Sequence, residues 1–421
     1  MLKALRGLFQ KTPVKVKPPY YDIVCPYCFS KYHPDAVLFR ATHDRQDDPE
    51  YRLQEDEELD RYRAKFNLDS TGDLEAVIAP ATIPEEHKLF VEEVLVGIVD
   101  KHGETTRRRI CPKCHNELPI SAGKVPSNII SIIGATSVGK SVYMTSLIHT
   151  LQQVTAANFG AACIPMNADI SRRFRTYYEE PIFEQGRMLS ATQKIEKMEP
   201  FIFNFVFKDE SLPPLTLVFF DVAGEGMTDR TYLDIYAAHI QNSSGILFMV
   251  DPLQIRTIRD RLLLALGEGS GDLAARHAEP RDVIITLFEN FIGHNEKGKT
   301  DIPTAIVLTK SDMLQHLKEE QGAYIDTNSN VFRNVVHAGH LDLAEFSNID
   351  GEIRRFLEKV DRPFKDAVDV YFSNTAYFAV SALGSNPVNK QVEGVVSPMR
   401  VDEPFVWLLH KLDYIEGRET R

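Results

Sequence analysis

Beyond residue 127, apolar residues are grouped into short runs of strand length. Between most of these runs, apolar positions recur at helical spacing, for example over residues 142–151. Strands that alternate with helices predict a largely parallel sheet that is covered on both faces. The predicted strands are residues 129–134, 201–207, 215–220, 245–251, 304–308 and 377–380.

The runs 201–207 and 215–220 are joined by a short segment that contains two prolines. This segment is too short for a crossover helix, so we predict an antiparallel hairpin at this point. In open α/β sheets, ligands bind beyond the carboxyl ends of the strands. The residues that follow each predicted strand are therefore the first candidates for a functional site.

The N-terminal part has a different pattern, and we divide the chain into a basic tail (1–20), a cysteine-containing unit (21–125) and an α/β domain (126–421). The tail carries five basic and no acidic residues, and its apolar residues would share one face of a short helix. Two interpretations stay open. Residues 1–10 contact an anionic membrane surface or a partner, or the segment is a frayed tail.

The cysteine-containing unit includes a long insertion, roughly residues 35–108, which we expect to loop out of a more compact unit. Its segment 44–65 is a dense run of mixed charge, which predicts a solvated helix or a disordered arm. Its segment 85–100 has apolar residues at spacings typical of either a helix or a strand.

Four of the five cysteines form two Cys-Pro-x-Cys pairs. Each such turn places two thiolates on one side, and two facing turns form a tetrahedral zinc site with no open position. A redox pair is the alternative, but neither pair opens a predicted helix. His33 and His115 are substitute ligands that we interpret as surface residues, and Cys163 is interpreted as a buried or incidental thiol. The predicted zinc ligands are Cys25, Cys28, Cys111 and Cys114.

Composition excludes several classes of protein. Of the 421 residues, 43% are hydrophobic and 26% are charged, which is typical of a globular chain with room for about two to three domains. No apolar run approaches the ~18 residues of a membrane-spanning helix. The net charge of -12 argues against a general nucleic-acid binder.

The predicted strand 129–134 leads into a loop of the form Gly-x-x-x-x-Gly-Lys-Ser, and a predicted helix follows at once. This is the context that a phosphate-binding loop requires. Its glycines let backbone N–H groups point at phosphate oxygens, Lys140 adds a positive charge, and the Ser141 hydroxyl suits Mg²⁺. The predicted phosphate-binding residues are Gly134, Ser137, Gly139, Lys140, Ser141 and Val142.

Polar residues follow three further predicted strands at the same edge of the sheet. Asp221 is placed to hold Mg²⁺, and Gly224 lets a backbone N–H approach the terminal phosphate. Asp312 can accept hydrogen bonds from the N1–H and the exocyclic amine of guanine, while the stem of Lys310 covers the base plane. The predicted base-binding residues are Thr309, Lys310, Asp312, Ser381 and Ala382.

Together these motifs resemble the P-loop GTPases of the translation-factor-related (TRAFAC) class. Residues 134–141 match the first motif of that class, 221–224 its Asp-x-x-Gly motif, 309–312 its Asn/Thr-Lys-x-Asp motif and 381–382 its final Ser-Ala. The upstream cysteine pairs and the closing run 400–409 further resemble the bacterial double-GTPase family, whose members accompany other GTPases in predicted conflict and defence systems. The resemblance implies a Ras-like three-layer α/β sandwich after a small zinc ribbon, with GTP or GDP, Mg²⁺ and Zn²⁺ as cofactors.

The resemblance also assigns catalytic roles to Lys140, to Glu225 and to a first-switch threonine, for which Thr192 is our choice and Thr176 the alternative. Two positions depart from the family pattern. Glu225 stands where related GTPases carry His or Gln to orient water, and Leu383 replaces the usual Lys of the last motif. Because a carboxylate beside the terminal phosphate is unfavourable, we expect slow intrinsic turnover.

Our leading hypothesis is a cytoplasmic, Mg²⁺-dependent GTPase that acts as a conformational switch with protein partners in a bacterial defence or signalling system. A weakly hydrolysing GTP-dependent scaffold that recruits partners through the zinc ribbon is the alternative. A nucleic-acid-associated factor, with phosphates bound by Arg107, Arg108, Arg109 and Lys113, is a third hypothesis that the acidity of the chain disfavours.

Overall fold

The computed structural model describes residues 18–66, 68–135, 137–189, 200–219, 238–266, 279–289, 298–317, 319, 324–388, 391–392 and 394–419. Within these ranges, seven strands form one large sheet, and we label them β1 to β7 in chain order. They are β1 (Asn128–Gly134), β2 (Ala161–Pro165), β3 (Phe201–Phe207), β4 (Leu215–Phe219), β5 (Gly245–Val250), β6 (Thr304–Leu308) and β7 (Thr375–Ala379).

Neighbouring strands follow the order β2-β3-β4-β1-β5-β6-β7. Strands β4, β1, β5, β6 and β7 are parallel to one another, whereas β3 is antiparallel to β4 and β2 is antiparallel to β3. The predictions of a largely parallel sheet and of a β3–β4 hairpin are confirmed. The loops after β1, β5, β6 and β7 leave the sheet at the same edge, because parallel strands end on one side.

The edge strand β2 is an element that the apolar pattern does not predict. Its five residues alternate between buried and exposed positions, with Cys163 buried and Ile164 49% exposed. An edge strand pairs on one side only, here with β3. The pairing therefore makes this segment a strand, because a short alternating sequence that ends in proline has weak strand preference by itself.

All residues of β5 and β6 are buried, so structure must cover both faces of the sheet there. Two helices continue as π-helix, over Leu151–Thr155 and Arg175–Glu184, and a short helix, Ala156–Asn158, follows the first. The α-helices of this part are Lys140–Thr150, Ala168–Phe174, Arg256–Leu266, Pro280–Leu287, Leu343–Val360, Arg362–Tyr371 and Glu403–Lys411.

The described N-terminal part consists of short strands, one α-helix, Glu57–Lys65, and three 3₁₀-helices, Pro34–Ala36, Pro80–Thr82 and Glu85–His87. Ile23–Val24 pairs with Lys31–Tyr32, and Gln54–Glu55 pairs with Asp73–Leu74. One three-stranded sheet contains Arg109–Ile110, Leu38–Arg40 and Val77–Ile78, and another contains Lys88–Val91, Val94–Val99 and Thr105–Thr106. Near the C-terminus, His340–Asp342 pairs in parallel with Glu416–Arg418.

The insertion at 35–108 is folded, contrary to the expectation that it loops out. Its strand Leu38–Arg40 pairs with Arg109–Ile110, directly before the second cysteine pair. Phe39 and Ile98 of the insertion are completely buried. Pairing between strands at the two ends of the insertion brings these ends together. Such long-range pairing cannot be predicted from residue spacing alone.

The charged run 44–65 includes the helix Glu57–Lys65, which begins after the capping residue Asp56. The Asp56 carboxylate accepts a hydrogen bond from Leu59 N–H and forms a buried ion pair with Arg40. Its other contact is His115 Nδ1 at 2.7 Å. Part of the charge in this run is therefore buried and paired, and His115 is not the surface residue that we expected.

The first cysteine turn packs directly against the α/β part of the chain. The ring of Phe29 lies 4.3 Å from that of His239, between centroids, and Phe29 O accepts a hydrogen bond from Asn242 Nδ2. His239 Nε2 lies 2.6 Å from the Ser131 hydroxyl on β1. Apolar residues of both parts belong to one continuous buried core.

Candidate functional site

The loop after β1 has the backbone shape that its glycines predict. A Cβ at position 134 would lie 2.8 Å from Met249 O, so only glycine allows β1 and β5 to approach this closely. Gly139 has φ +85° and caps the helix Lys140–Thr150. Ser137 also has a positive φ, of 63°. Left-handed residues on both sides of Val138 turn the chain sharply into the helix.

The Lys140 side chain curls back over this loop. Its Nζ donates to Gly134 O at 3.0 Å and to Ala135 O at 2.8 Å. Ser141 is half-buried in the first turn of the helix. Lys140 therefore places a positive charge over the loop that precedes the helix N-terminus. This charge and the helix N-terminus both favour the binding of an anion.

Val142 has a half-buried side chain that packs with a small apolar cluster around Ile182, Leu383 and Val392. Leu383 is the residue that replaces the usual Lys of the last motif, and it is 7% exposed. An apolar side chain at position 383 belongs to the cluster against which Val142 of the phosphate-loop helix packs. This packing gives a physical reason why leucine replaces the lysine of the family pattern.

The loop after β6 is tied to the phosphate loop. The Thr309 hydroxyl donates to Val138 O at 3.0 Å, and Thr309 N–H donates to Val250 O at 2.9 Å. Lys310 has a left-handed backbone with φ 51° and forms an ion pair with Asp251 at the end of β5. The two loops predicted to bind phosphate and base therefore lie side by side.

The loop after β7 completes this edge of the sheet. The Ser381 hydroxyl donates to Asp312 Oδ1 at 2.6 Å and accepts from Gly384 N–H at 2.9 Å. The Ser146 hydroxyl, on the phosphate-loop helix, donates to Ala382 O at 2.6 Å. The structure thus brings together the predicted residues at 134, 137, 139–142, 309, 310, 312, 381 and 382.

A second site lies in the N-terminal part, where the four predicted cysteines converge. Their sulfur atoms all lie within 4.8 Å of one another. Among the described residues, these four cysteines form the cluster of possible metal ligands. Cys25 Sγ is 3.7 Å from Cys114 Sγ, and Cys28 Sγ is 3.7 Å from Cys111 Sγ. Tetrahedral zinc with Zn–S bonds of about 2.3 Å separates its sulfurs by about 3.8 Å, so this donor set fits zinc.

Both cysteine turns have the same backbone geometry. Phe29 N–H donates to Cys25 O at 2.9 Å, and His115 N–H donates to Cys111 O at 3.0 Å. Phe29 and His115 each have a positive φ, of 56° and 52°. Two matching turns that face each other are what a closed structural metal site requires, and all four cysteines are free thiols.

Comparison with known proteins agrees with the nucleotide-site geometry. A sequence model of the family "Double-GTPase 2" matches residues 128–355, which is more than half of the chain and begins at β1. The chain belongs to the Double-GTPase 2 family. The resemblance inferred from the motifs is therefore confirmed at the level of the family.

Outside the family model, this double-GTPase chain is 26% identical to "Putative ESX-1 scaffolding and assembly protein SaeC" of Mycolicibacterium smegmatis, over 91% of this chain and 97% of that protein. Among solved structures it is similar to the Arl6 BBS3 small GTPase from Trypanosoma brucei, at 13% identity and TM-score 0.30, over 68% of this chain and 98% of that one. It is also similar to the Ski7 GTPase-like domain of S. cerevisiae, at 14% identity and TM-score 0.30, over 69% and 51%.

Four predicted site residues of the double-GTPase chain lie outside the described residues. They are Thr192, Asp221, Gly224 and Glu225. The basic segment 1–17 also lies outside them. The roles assigned to these residues stay predictions from the sequence. None of the described helices has both the length and the apolar character needed to cross a membrane.

Motif reasoning missed Asp251, which is only 3% exposed and contacts Lys310. The sequence does carry a signal for it, because Asp251 ends the apolar run 245–251 just as Asp221 follows another strand. The three adjacent arginines are also used differently from the nucleic-acid hypothesis. Arg109 is buried and donates to Ala122 O and Ile120 O, and Arg108 forms ion pairs with two glutamates.

Proposed function

We propose that this double-GTPase protein binds GTP and GDP, hydrolyses GTP with Mg²⁺, and acts as a conformational switch. The observation that carries the proposal is the contact between Thr309 Oγ1 and Val138 O at 3.0 Å. This contact joins a phosphate-type loop to a loop whose Asp312 has the chemistry to read guanine. One edge of the sheet that carries both features fits a guanine nucleotide better than an isolated phosphate.

Different residues of this chain would bind the phosphates, the base and the Mg²⁺ ion. Backbone N–H groups of the loop 134–140 and the Lys140 ammonium would hold the phosphates. Asp312 would accept from the guanine edge. Bound Mg²⁺ would neutralise developing charge on the phosphates, with the Ser141 hydroxyl and, from the sequence, Asp221 as its proposed protein ligands.

A test of the proposal is nucleotide binding by the purified full chain, with competition between guanine and adenine nucleotides. We expect a preference for GTP over ATP on the order of a hundredfold or more, because ATP leaves the Asp312 carboxylate without a donor. Lys140→Ala should lower GTP affinity by about tenfold or more, whereas the exposed Lys208→Ala should bind as the unmodified protein does. Equal binding of ATP and GTP would contradict the proposal.

A scaffold that binds GTP and scarcely hydrolyses it is a second candidate. The similarity to a protein named for scaffolding and assembly favours it. Glu225, where related GTPases carry His or Gln, also favours it. In this case the four-cysteine centre with zinc would be the part that recruits a protein partner. A role in a bacterial defence or signalling system remains part of the proposal from the motif resemblance.

Multiple-turnover phosphate release separates the two candidates. A switch enzyme should release more than one phosphate per chain, slowly if Glu225 does not orient water. A scaffold should bind GTP with the same selectivity for guanine but release at most one phosphate per chain. The assay therefore discriminates between them without knowledge of the partner.

A further inference from the structure

Asp251 is a buried acidic residue at the carboxyl end of β5. Its side chain is 4% exposed. Oδ1 accepts a hydrogen bond from Leu253 N–H at 2.9 Å, and Oδ2 lies 2.5 Å from Lys310 Nζ. An ionised carboxylate at this depth needs a positive partner, because burial without one is strongly unfavourable.

Lys310 has the opposite character. Its side chain is 38% exposed, and its backbone is held in the left-handed region with φ 51°. A lysine stem has four rotatable bonds, so an exposed lysine without a partner samples many orientations. The ion pair with Asp251 selects the orientation in which the ammonium lies over the end of β5.

The sheet order explains why this pair forms where it does. β6 lies between β5 and β7, so the loop after β6 is flanked by the ends of both neighbours. Each functional side chain of that loop has its own anchor. Thr309 contacts Val138, Lys310 contacts Asp251, and Asp312 contacts Ser381.

We propose that Asp251 is a positioning residue for base recognition, which holds the Lys310 ammonium so that the lysine stem lies along the plane of a bound guanine. This inference rests on the proposed function. Asp251 does not touch the nucleotide; it acts through Lys310. Its negative charge is the essential property, because a neutral residue could still accept the hydrogen bond from Leu253.

Asp251→Asn separates these two roles, because the amide oxygen of Asn can still accept from Leu253 N–H while the charge is lost. We expect the affinity for a fluorescent GDP analogue to fall by about tenfold, the size of one charge-assisted hydrogen bond, mainly through faster dissociation. In steady-state hydrolysis, KM for GTP should rise while kcat stays within about twofold, because Lys140 and the phosphate loop are untouched. Asp251→Ser, whose hydroxyl can also accept from Leu253, is made in parallel in case the Asn variant does not fold.

A double-mutant cycle tests whether Asp251 acts through Lys310. If it does, the variant that combines Asp251→Asn with Lys310→Ala should bind GDP no more weakly than Lys310→Ala alone. Asp56→Asn is the matched control, since Asp56 is also a buried capping aspartate paired with a basic residue. It should lower the melting temperature but leave the affinity for GDP within about twofold.

Failure of the unmodified protein to bind guanine nucleotides would overturn the proposed function and this inference with it. If the unmodified protein binds GDP and folded Asp251→Asn binds it equally well, only the inference is wrong. Losses that add in the double variant would also overturn the inference, because they would assign to Asp251 a structural role independent of Lys310.

Discussion

Asp312 accepts a hydrogen bond from Ser381 at one carboxylate oxygen in the described structure. Its partner is neutral and comes from the loop after β7, so the carboxylate is oriented but not neutralised. Such a carboxylate can accept two N–H groups from the edge of a guanine base. A donor–acceptor match of this kind discriminates strongly between bases, because a mismatch leaves polar groups unpaired.

Asp312→Asn should shift the preference of the protein from GTP toward XTP. The Asn amide can donate to the 2-oxo group of xanthine, whereas it opposes the exocyclic amine of guanine. We expect GTP affinity to fall by about ten- to a hundredfold, the effect of leaving one or two buried polar groups unpaired. Competition binding with GTP, XTP and ATP measures the shift, and unchanged selectivity would show that Asp312 does not read the base.

At the scale of elements, the two cysteine turns are small units that depend on a common centre. Each has two backbone hydrogen bonds of its own, and the strands next to them are two residues long. Elements this short are not stable without additional links. Zinc bound by four thiolates would supply these links and contribute directly to folding of this part.

Cys114→Ser should remove one zinc equivalent per chain and unfold the N-terminal part. Guanine-nucleotide affinity should change less than about fivefold, because β1 and the phosphate loop lie in a sheet with its own buried strands. Elemental analysis and proteolysis measure the two effects. Cys163→Ser is the control, since Cys163 is a buried thiol on β2, outside the four-cysteine group. Purified protein without zinc, or with a disulfide in either pair, would contradict this prediction.

At the scale of the whole molecule, His239 connects the two parts of the chain. It is completely buried between Phe29 and β1, and burial lowers its pKa to about 3. In the unfolded chain the pKa of histidine is about 6.5. Because the unfolded state binds the proton more readily, His239 contributes stability above pH 6.5 that is progressively lost as the pH falls toward 3.

The free energy of unfolding should therefore fall as the pH is lowered. Part of this fall comes from His239, and the variant His239→Gln should lack that part, because glutamine does not bind a proton in this range. Between pH 6.5 and 5 the difference between the two proteins should change by about 1.6 kcal/mol, because the slope rises from about half of its full value at pH 6.5 to the full value of about 1.4 kcal/mol per pH unit at lower pH. Urea unfolding at several pH values measures it. The exposed His87→Gln is the control for the substitution itself. A difference that does not vary with pH would show that His239 is not kept neutral by burial.

The sequence alone determines the parts of this protein whose chemistry depends on local spacing. The phosphate loop needs its two glycines and Lys140 at fixed positions within residues 134–141. In the same way, the predicted zinc ligands Cys25 and Cys28 need two residues between them. Strands such as β5 and β6 are also predictable, because strands that are buried on both faces are nearly continuous apolar runs. Such features can be read from residue type because neighbours in the chain are neighbours in space.

Only the tertiary structure decides the features that depend on distant pairing. The strand β2, the fold of the insertion and the buried pair of Arg40 with Asp56 all require partners far away in the chain. The contact of Asp251 with Lys310 spans 59 residues, and that of Phe29 with His239 spans two parts of the molecule. The sheet order and the packing of the shared core bring these residues together, and neither follows from any single stretch of sequence.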